Sequence, residues 1–263
     1  MSFIGYAVSV KGASHEESGT PCQDSARVHI TKDVAIAAVS DGHGSEKHFR
    51  SDAGSDMATR VAIRSLMDFT ERNGGLDKMF RDNPENAARR IAGNIIYSWN
   101  GEIDAHMLYT PFTDAEHAIS RKHGGIPVES VYGATLIVAA VTGRGLFGLQ
   151  IGDGSFAAQE RGAMRFPMPE DDRLIGNLTT SLCDNDAIGS FRWFYQAGTF
   201  QSVILSTDGL INSFRSSEDF LHFGERLTAA VSSKKTHELA EHLAERSKGG
   251  SRDDISVAVL TKK

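Results

Sequence analysis

Three short apolar runs in this chain end on an Asp-Gly pair. Residues 34–40 run into Asp41-Gly42, 146–152 into Asp153-Gly154, and 203–207 into Asp208-Gly209. A fourth run, residues 255–260, follows the acidic pair Asp253-Asp254. A single Asp-Gly after a strand is an ordinary turn. Acids at four strand ends, from Asp41 to Asp253, argue for a shared task, because carboxylate oxygens suit Mg²⁺ and Mn²⁺. If the strands are neighbours, Asp41, Asp208 and Asp253 converge at one sheet edge, where their charges repel unless a cation neutralises them. Glycine after the acid lets the backbone come close, so the Gly42 carbonyl becomes a further oxygen ligand. Two hard cations roughly 3.5–4 Å apart acidify a shared water to hydroxide near neutral pH and screen the charge of a phosphoryl group. That chemistry is phosphate-ester hydrolysis without a covalent protein intermediate. Neither Cys22 nor Cys183 lies in the Gly-rich, Arg-flanked loop that a cysteine nucleophile would need.

The elements that must position these acids follow from hydrophobic periodicity. Residues 4–10, 26–30 and 34–39 read as strands between Gly, Ser and Pro turns. After Gly44, Phe49, Ala53, Met57, Val61 and Leu66 mark a long amphipathic helix that runs to the Asn73-Gly74-Gly75 break. A second helix follows Pro84, with Ala88, Ile91, Ile95, Trp99 and Ile103 as its stripe. Strands are predicted again at 134–141 and 146–151, joined by a hairpin link at 142–145. The polar, Pro-containing stretch 160–186 is predicted as an inserted flap. Strands at 191–195 and 202–205, a helix over 236–248 and a last strand at 255–260 complete the pattern. This order predicts an α+β layered fold with antiparallel sheets rather than a doubly wound parallel sheet. Acids that belong together come from both ends of the chain, which predicts one domain over 1–263.

Composition narrows the function classes. The chain has 263 residues, a net charge of −6 and two cysteines. The charge argues against nucleic acid and anionic membranes as partners, and the cysteines are too few for a disulfide framework. No apolar stretch approaches the ~20 residues of a membrane span. The N-terminal ten residues lack the basic flank of a signal peptide. A cytoplasmic protein is expected.

Six blocks in order carry a family resemblance: Gln23-Asp24, residues 39–44 (Val-Ser-Asp-Gly-His-Gly), Gly133-Ala134-Thr135, Gly152-Asp153-Gly154, residues 205–209 (Leu-Ser-Thr-Asp-Gly) and Asp253-Asp254-Ile255-Ser256. From about Gly5 to Leu260 the chain resembles the type 2C, metal-dependent Ser/Thr protein phosphatases (the PPM family), most of all a compact bacterial branch. The resemblance implies a four-layer α-β-β-α sandwich of two antiparallel sheets flanked by helix pairs. It implies two divalent cations, Mn²⁺ or Mg²⁺, with Asp41 bridging them and the Gly42 carbonyl on the second. Asp208 and Asp253 complete the first ion's protein ligands, and Asp24 serves the second ion through water. Asp153 matches the acid that helps hold a third ion. His43 matches the position of a general acid that protonates the leaving serine or threonine oxygen.

The chain also departs from that pattern. Gln23 stands where many members have Glu, Gly19 where the phosphate-binding Arg is usual, and Asn212 where a further acid is common. The block 152–155 lacks its Arg. His15, Lys11 or Arg50 are the candidates to bind phosphate instead, His15 first. The expected activity is dephosphorylation of phosphoserine and phosphothreonine on proteins, opposing a cognate Ser/Thr kinase. Two alternatives stand beside it: a PPM-fold regulatory module with weak or no catalysis, and a phosphatase for small phosphate esters.

Overall fold

The computed structural model describes residues 2–72, 75–173 and 179–263. The predicted break at Asn73-Gly74 and residues 174–178 of the predicted flap lie outside them. The chain opens with β1 (Phe3–Val10), α1 (Ala13–Ser18), β2 (Ser25–Ile30), β3 (Val34–Ser40) and a 3-10 turn at Glu46–His48. Helices α2 (Ser51–Glu71), α3 (Leu76–Asp82), α4 (Pro84–Tyr109), α5 (Asp114–Lys122) and α6 (Val128–Val131) follow. The sheets resume with β4 (Leu136–Thr142), β5 (Gly145–Ile151), β6 (Ser155–Glu160) and β7 (Ala163–Arg165). After α7 (Ala187–Ser190) come β8 (Arg192–Ala197), β9 (Ser202–Ser206), α8 (Asp208–Ile211), α9 (Ser217–Ser232), α10 (Leu239–Gly249) and β10 (Ile255–Lys262).

Two five-stranded sheets result, ordered β1-β10-β9-β6-β7 and β2-β3-β4-β5-β8, with antiparallel pairing throughout. The central strands are apolar on both faces because each face meets a different layer. Val34, Ile36 and Ala38 of β3 pack with Met57, Val61, Ile91, Ile95 and Trp99 of α2 and α4. The alternate residues Ala35, Ala37 and Val39 meet Val203, Leu205, Ala258 and Leu260 of the other sheet. That sheet turns Ile204, Ile255, Val257 and Val259 outward onto Phe220, Leu227, Val231 and Leu243 of α9 and α10. Three cores separate four layers, α-β-β-α, as expected from the sequence.

Helix α4 begins on an Asn83 cap that accepts from the Asn86 N–H, with Pro84 at its first position. Trp99 Nε1 donates to the Gly54 carbonyl at 2.9 Å and fixes α2 against α4. A Cβ at Gly54 would sit 1.9 Å from the Tyr132 carbonyl oxygen, so only glycine lets the α6–β4 link approach α2.

Several elements escape sequence patterning. Helix α9 carries Phe220, Leu227 and Val231 at helical spacing behind a Ser216 cap that accepts from the Asp219 N–H, a signal the pattern analysis leaves unused. The stretch 160–186 is not one uniform loop: Ala163–Arg165 pairs with β6, and Thr180, Ser181 and Leu182 are buried. Among the described residues no helix is long and apolar enough to cross a membrane.

Candidate active site

The turns after β3 and β9 and before β2 and β10 deliver the predicted acids. Asp41 leaves β3 with its backbone N–H bonded to Thr135 Oγ1 (3.0 Å) and its carbonyl accepting from the Thr135 N–H (2.8 Å). The His43 N–H donates to the Gly133 carbonyl. These two contacts flank the Gly42–Ala134 bridge, so the Gly42 carbonyl is not spent on that partner. Asp24 Oδ2 accepts from Thr207 Oγ1 at 2.7 Å, which ties the start of β2 to the end of β9. Asp208 Oδ2 accepts from Asn212 Nδ2 at 3.0 Å. Asp253 is exposed, and its Oδ1 accepts from the Asp254 N–H at 2.9 Å.

Asp254 plays a different part. It is buried and holds the N-terminal loop: its Oδ1 accepts from the Gly12 N–H (2.6 Å) and its Oδ2 from the Gln23 N–H (2.7 Å). His15 Nδ1 lies 3.0 Å from the same Oδ2. A cavity of about 440 Å³ is lined by Asp41, Gly42, Asp253, Asp254, His15 and Gln23, among others.

The electrostatics are those of crowded carboxylates. Burial, then repulsion from Asp254, Asp253 and Asp208, holds Asp24 well above the ordinary carboxylate range. Asp41 is raised likewise by burial and then by Asp24 and Asp208. Asp208 is raised by burial and by Asp153 and Asp253, against a hydrogen bond that it shares with Asp41. None of Asp24, Asp41, Asp208 or Asp253 has a Lys or Arg partner among the described ion pairs. Hard oxygen donors without a cation of their own fit Mg²⁺ or Mn²⁺. Gln23 adds a buried carboxamide oxygen with no partner among the described residues, its Nε2 being bonded to Ser51 Oγ at 2.7 Å. Among the described residues no three His, Cys, Asp or Glu side chains already form a metal-ready cluster.

This crowding gives a pH dependence of definite sign. Raised folded-state values mean that the metal-free fold binds protons more tightly than the unfolded chain. The stability they contribute is complete below the unfolded carboxylate range of about 4 and is lost as pH rises through the raised values. In EDTA the melting temperature is therefore expected to fall as pH rises from 5 to 8, and Mn²⁺ to restore most at pH 8. Differential scanning fluorimetry at constant ionic strength checks this; a metal-free melting temperature that rises over the window contradicts it.

Two candidate residues are placed away from these roles. Arg50, a candidate phosphate ligand, is buried and bonds both Glu116 carboxylate oxygens (2.6 and 2.9 Å), the Thr110 and Pro111 carbonyls and the Tyr132 hydroxyl. Its guanidinium has no donor left for substrate. His43, the candidate general acid, turns its Nε2 to Ser181 Oγ at 2.8 Å and packs edge-on to His48. Burial and the neighbouring His48 push its pKa down to about 4, so near neutral pH it carries no proton to give as an imidazolium.

Asp153 is exposed, and its charge is felt at Asp208 and at Arg192. Arg192 bonds the Gly152 carbonyl (2.8 Å) and the Pro169 carbonyl (2.7 Å), steadying the Asp153 turn. Sequence reasoning missed the roles of Thr135, Thr207 and Arg192. The two threonines stand inside recognisable blocks, whereas nothing around Arg192 marks it.

A profile of the protein phosphatase 2C family matches residues 11–245. No curated protein matches the chain by sequence. Solved structures share its fold at low identity. The catalytic domain of the serine/threonine phosphatase PstP, in complex with two manganese ions, is 18% identical with a TM-score of 0.59, covering 99% of this chain and 98% of that one. PppA, a key regulatory component of T6SS in Pseudomonas aeruginosa, is 15% identical (TM-score 0.59; 100% and 99% covered). RsbX in complex with magnesium is 13% identical (TM-score 0.51; 100% and 96% covered). With the family profile spanning most of its length and its acids gathered at the ends of two antiparallel sheets, the chain belongs to the protein phosphatase 2C family.

Proposed function

We propose that the chain removes phosphate from phosphoserine and phosphothreonine in proteins with the help of two divalent cations, Mn²⁺ or Mg²⁺, and a weaker third. Its substrates would be phosphoproteins made by a cognate Ser/Thr kinase in the cytoplasm. The observation that carries the reading is the set of acids Asp24, Asp41, Asp208 and Asp253, brought from both ends of the chain into mutual repulsion and, among the described residues, with no Lys or Arg paired to any of them. Asp41, Asp208 and Asp253 would hold the first ion, Asp41 and the Gly42 carbonyl the second, with Asp24 reaching it through water and Asp153 serving the third. When bound, such ions supply a Lewis acid for the phosphoryl oxygens and an acidified water as nucleophile.

The chain's own contribution is placement. Thr135 and Thr207 fix the turns that carry Asp41 and the carboxylate of Asp24. Asp254 closes the N-terminal loop so that His15 stands on the cavity wall, where it would help bind a phosphoryl group. Because His43 is neutral and bonded to Ser181, the leaving alkoxide would take its proton from water.

The inward-turned His43 also favours a second reading, a fold-retaining regulatory module with little turnover. Phosphate release from a phosphothreonine peptide, measured in Mn²⁺ and in EDTA beside a small aryl phosphate, separates the readings. Mn²⁺-dependent release that prefers the peptide is expected. Metal binding without release would favour the module, and equal preference for the aryl ester would favour a small-ester enzyme.

A further inference from the structure

We infer that Arg252, alongside His15, binds the substrate phosphoryl group, and that Glu17 holds its guanidinium until substrate arrives. This rests on the phosphatase reading above and adds the residue that would grip the phosphate. The acidic cavity is lined by Ser14, His15, Gln23 and Gly44 beside its carboxylates, and Arg252 is the one arginine lining it among the described residues. Cations held by Asp41 and Asp253 would attract a dianionic phosphoryl group but leave its outer oxygens without a directional donor. A guanidinium at the rim would supply that donor in the planar, two-pronged geometry that phosphate oxygens accept.

The geometry of Arg252 suits that task. Its Nη2 pairs with Glu17 Oε1, and the side chains are 47% and 70% exposed. An ion pair that open to water is worth little and exchanges readily for a better anion. The backbone of Arg252, by contrast, is held firmly. Its carbonyl accepts from the Ser14 N–H (2.9 Å) and Ser14 Oγ (2.7 Å), and its N–H donates to the Ser247 carbonyl (2.8 Å). Its φ of +67° is a left-handed conformation that a side chain occupies at a cost, and the surrounding bonds impose it. The backbone is anchored next to Asp253, while among the described residues the guanidinium keeps one exchangeable partner, Glu17. Arg50, by contrast, is fully engaged in the core.

The test compares Arg252→Ala, Arg252→Lys and Glu17→Gln with the wild-type chain. Alanine meets the same left-handed strain as arginine, so Arg252→Ala isolates the side chain. It is expected to raise the KM for a phosphothreonine peptide, and the Ki for inorganic phosphate, by about tenfold or more. Manganese affinity, read by electron paramagnetic resonance, and melting temperature should stay at wild-type values. Arg252→Lys should recover part of the loss. Glu17→Gln should lower both constants by freeing the guanidinium. An unchanged KM and Ki in Arg252→Ala, with wild-type turnover intact, would overturn the assignment and leave the phosphatase reading standing. Loss of manganese binding or of stability in Arg252→Ala, with no recovery in Arg252→Lys, would also overturn it by showing a structural role. If the wild-type chain lacks turnover, ³¹P line broadening of inorganic phosphate that depends on Arg252 upholds phosphate binding here, and broadening that ignores Arg252 rejects it.

Discussion

Asp208→Asn is expected to release phosphate from a phosphothreonine peptide about 10³-fold more slowly than the wild-type chain in saturating Mn²⁺. That factor corresponds to about 4 kcal/mol of transition-state stabilisation, the scale of Lewis-acid help to a phosphoryl group. The same change is expected to stabilise the metal-free fold. Asp208 is raised by burial and by Asp153 and Asp253, so replacing a carboxylate by an amide removes repulsion. The Asn212 amide can still donate to the new side-chain oxygen. A gain of about 1 kcal/mol, or roughly 2–4 °C in melting temperature, should appear in EDTA near pH 8. Turnover within tenfold of wild type would remove Asp208 from the metal ligands. An unchanged melting temperature would show that the carboxylates are less strained than their packing indicates.

Arg50→Ala acts in the opposite sense. The wild-type guanidinium satisfies both oxygens of Glu116 and two carbonyls, and lies 4.8 Å over the Phe112 ring. Removing the guanidinium costs about 3 kcal/mol, because two carbonyls and the partly buried Glu116 carboxylate are left uncompensated. A drop of roughly 10 °C in melting temperature follows. Arg50 holds the Glu116 carboxyl down to about 2. A depressed carboxylate contributes stability that is present above its unfolded value and lost as pH falls toward the folded one. The wild-type chain should therefore lose stability between about pH 4.5 and pH 2 through this pair, and the variant should not. At 25 °C the folded variant should keep turnover and KM close to wild type, since no Arg50 donor faces the acidic cavity. A large rise in KM with an unchanged melting temperature would return Arg50 to the phosphate-binding role that its sequence position suggests.

The sequence by itself determined the alternation of buried strands, the two long helices and the strand-end acids, because each is a local pattern. Short runs that are apolar on both faces cannot stay exposed, and Asp-Gly after such a strand turns the chain at a sheet edge. It also determined the family, since six short blocks in fixed order constrain one another. Helix α9 and the short β6–β7 pair were less legible, their patterns being brief or interrupted. Side-chain direction was decided by tertiary structure alone. His43 and Arg50 stand in the sequence where site residues are expected, yet Ser181 and Glu116 draw them elsewhere, and both partners are distant in sequence. Asp253 and Asp254 are adjacent, chemically identical and both on the cavity wall, yet one is exposed while the other is buried and accepts from the Gly12 and Gln23 N–H groups. Arg192 reaches the Asp153 turn from another strand, and Arg252 stands over the cavity because Ser14 and Ser247 bond its backbone. Such choices depend on which polar groups are left without water when the layers close, and that is a property of the packed molecule, set by contacts far apart in sequence.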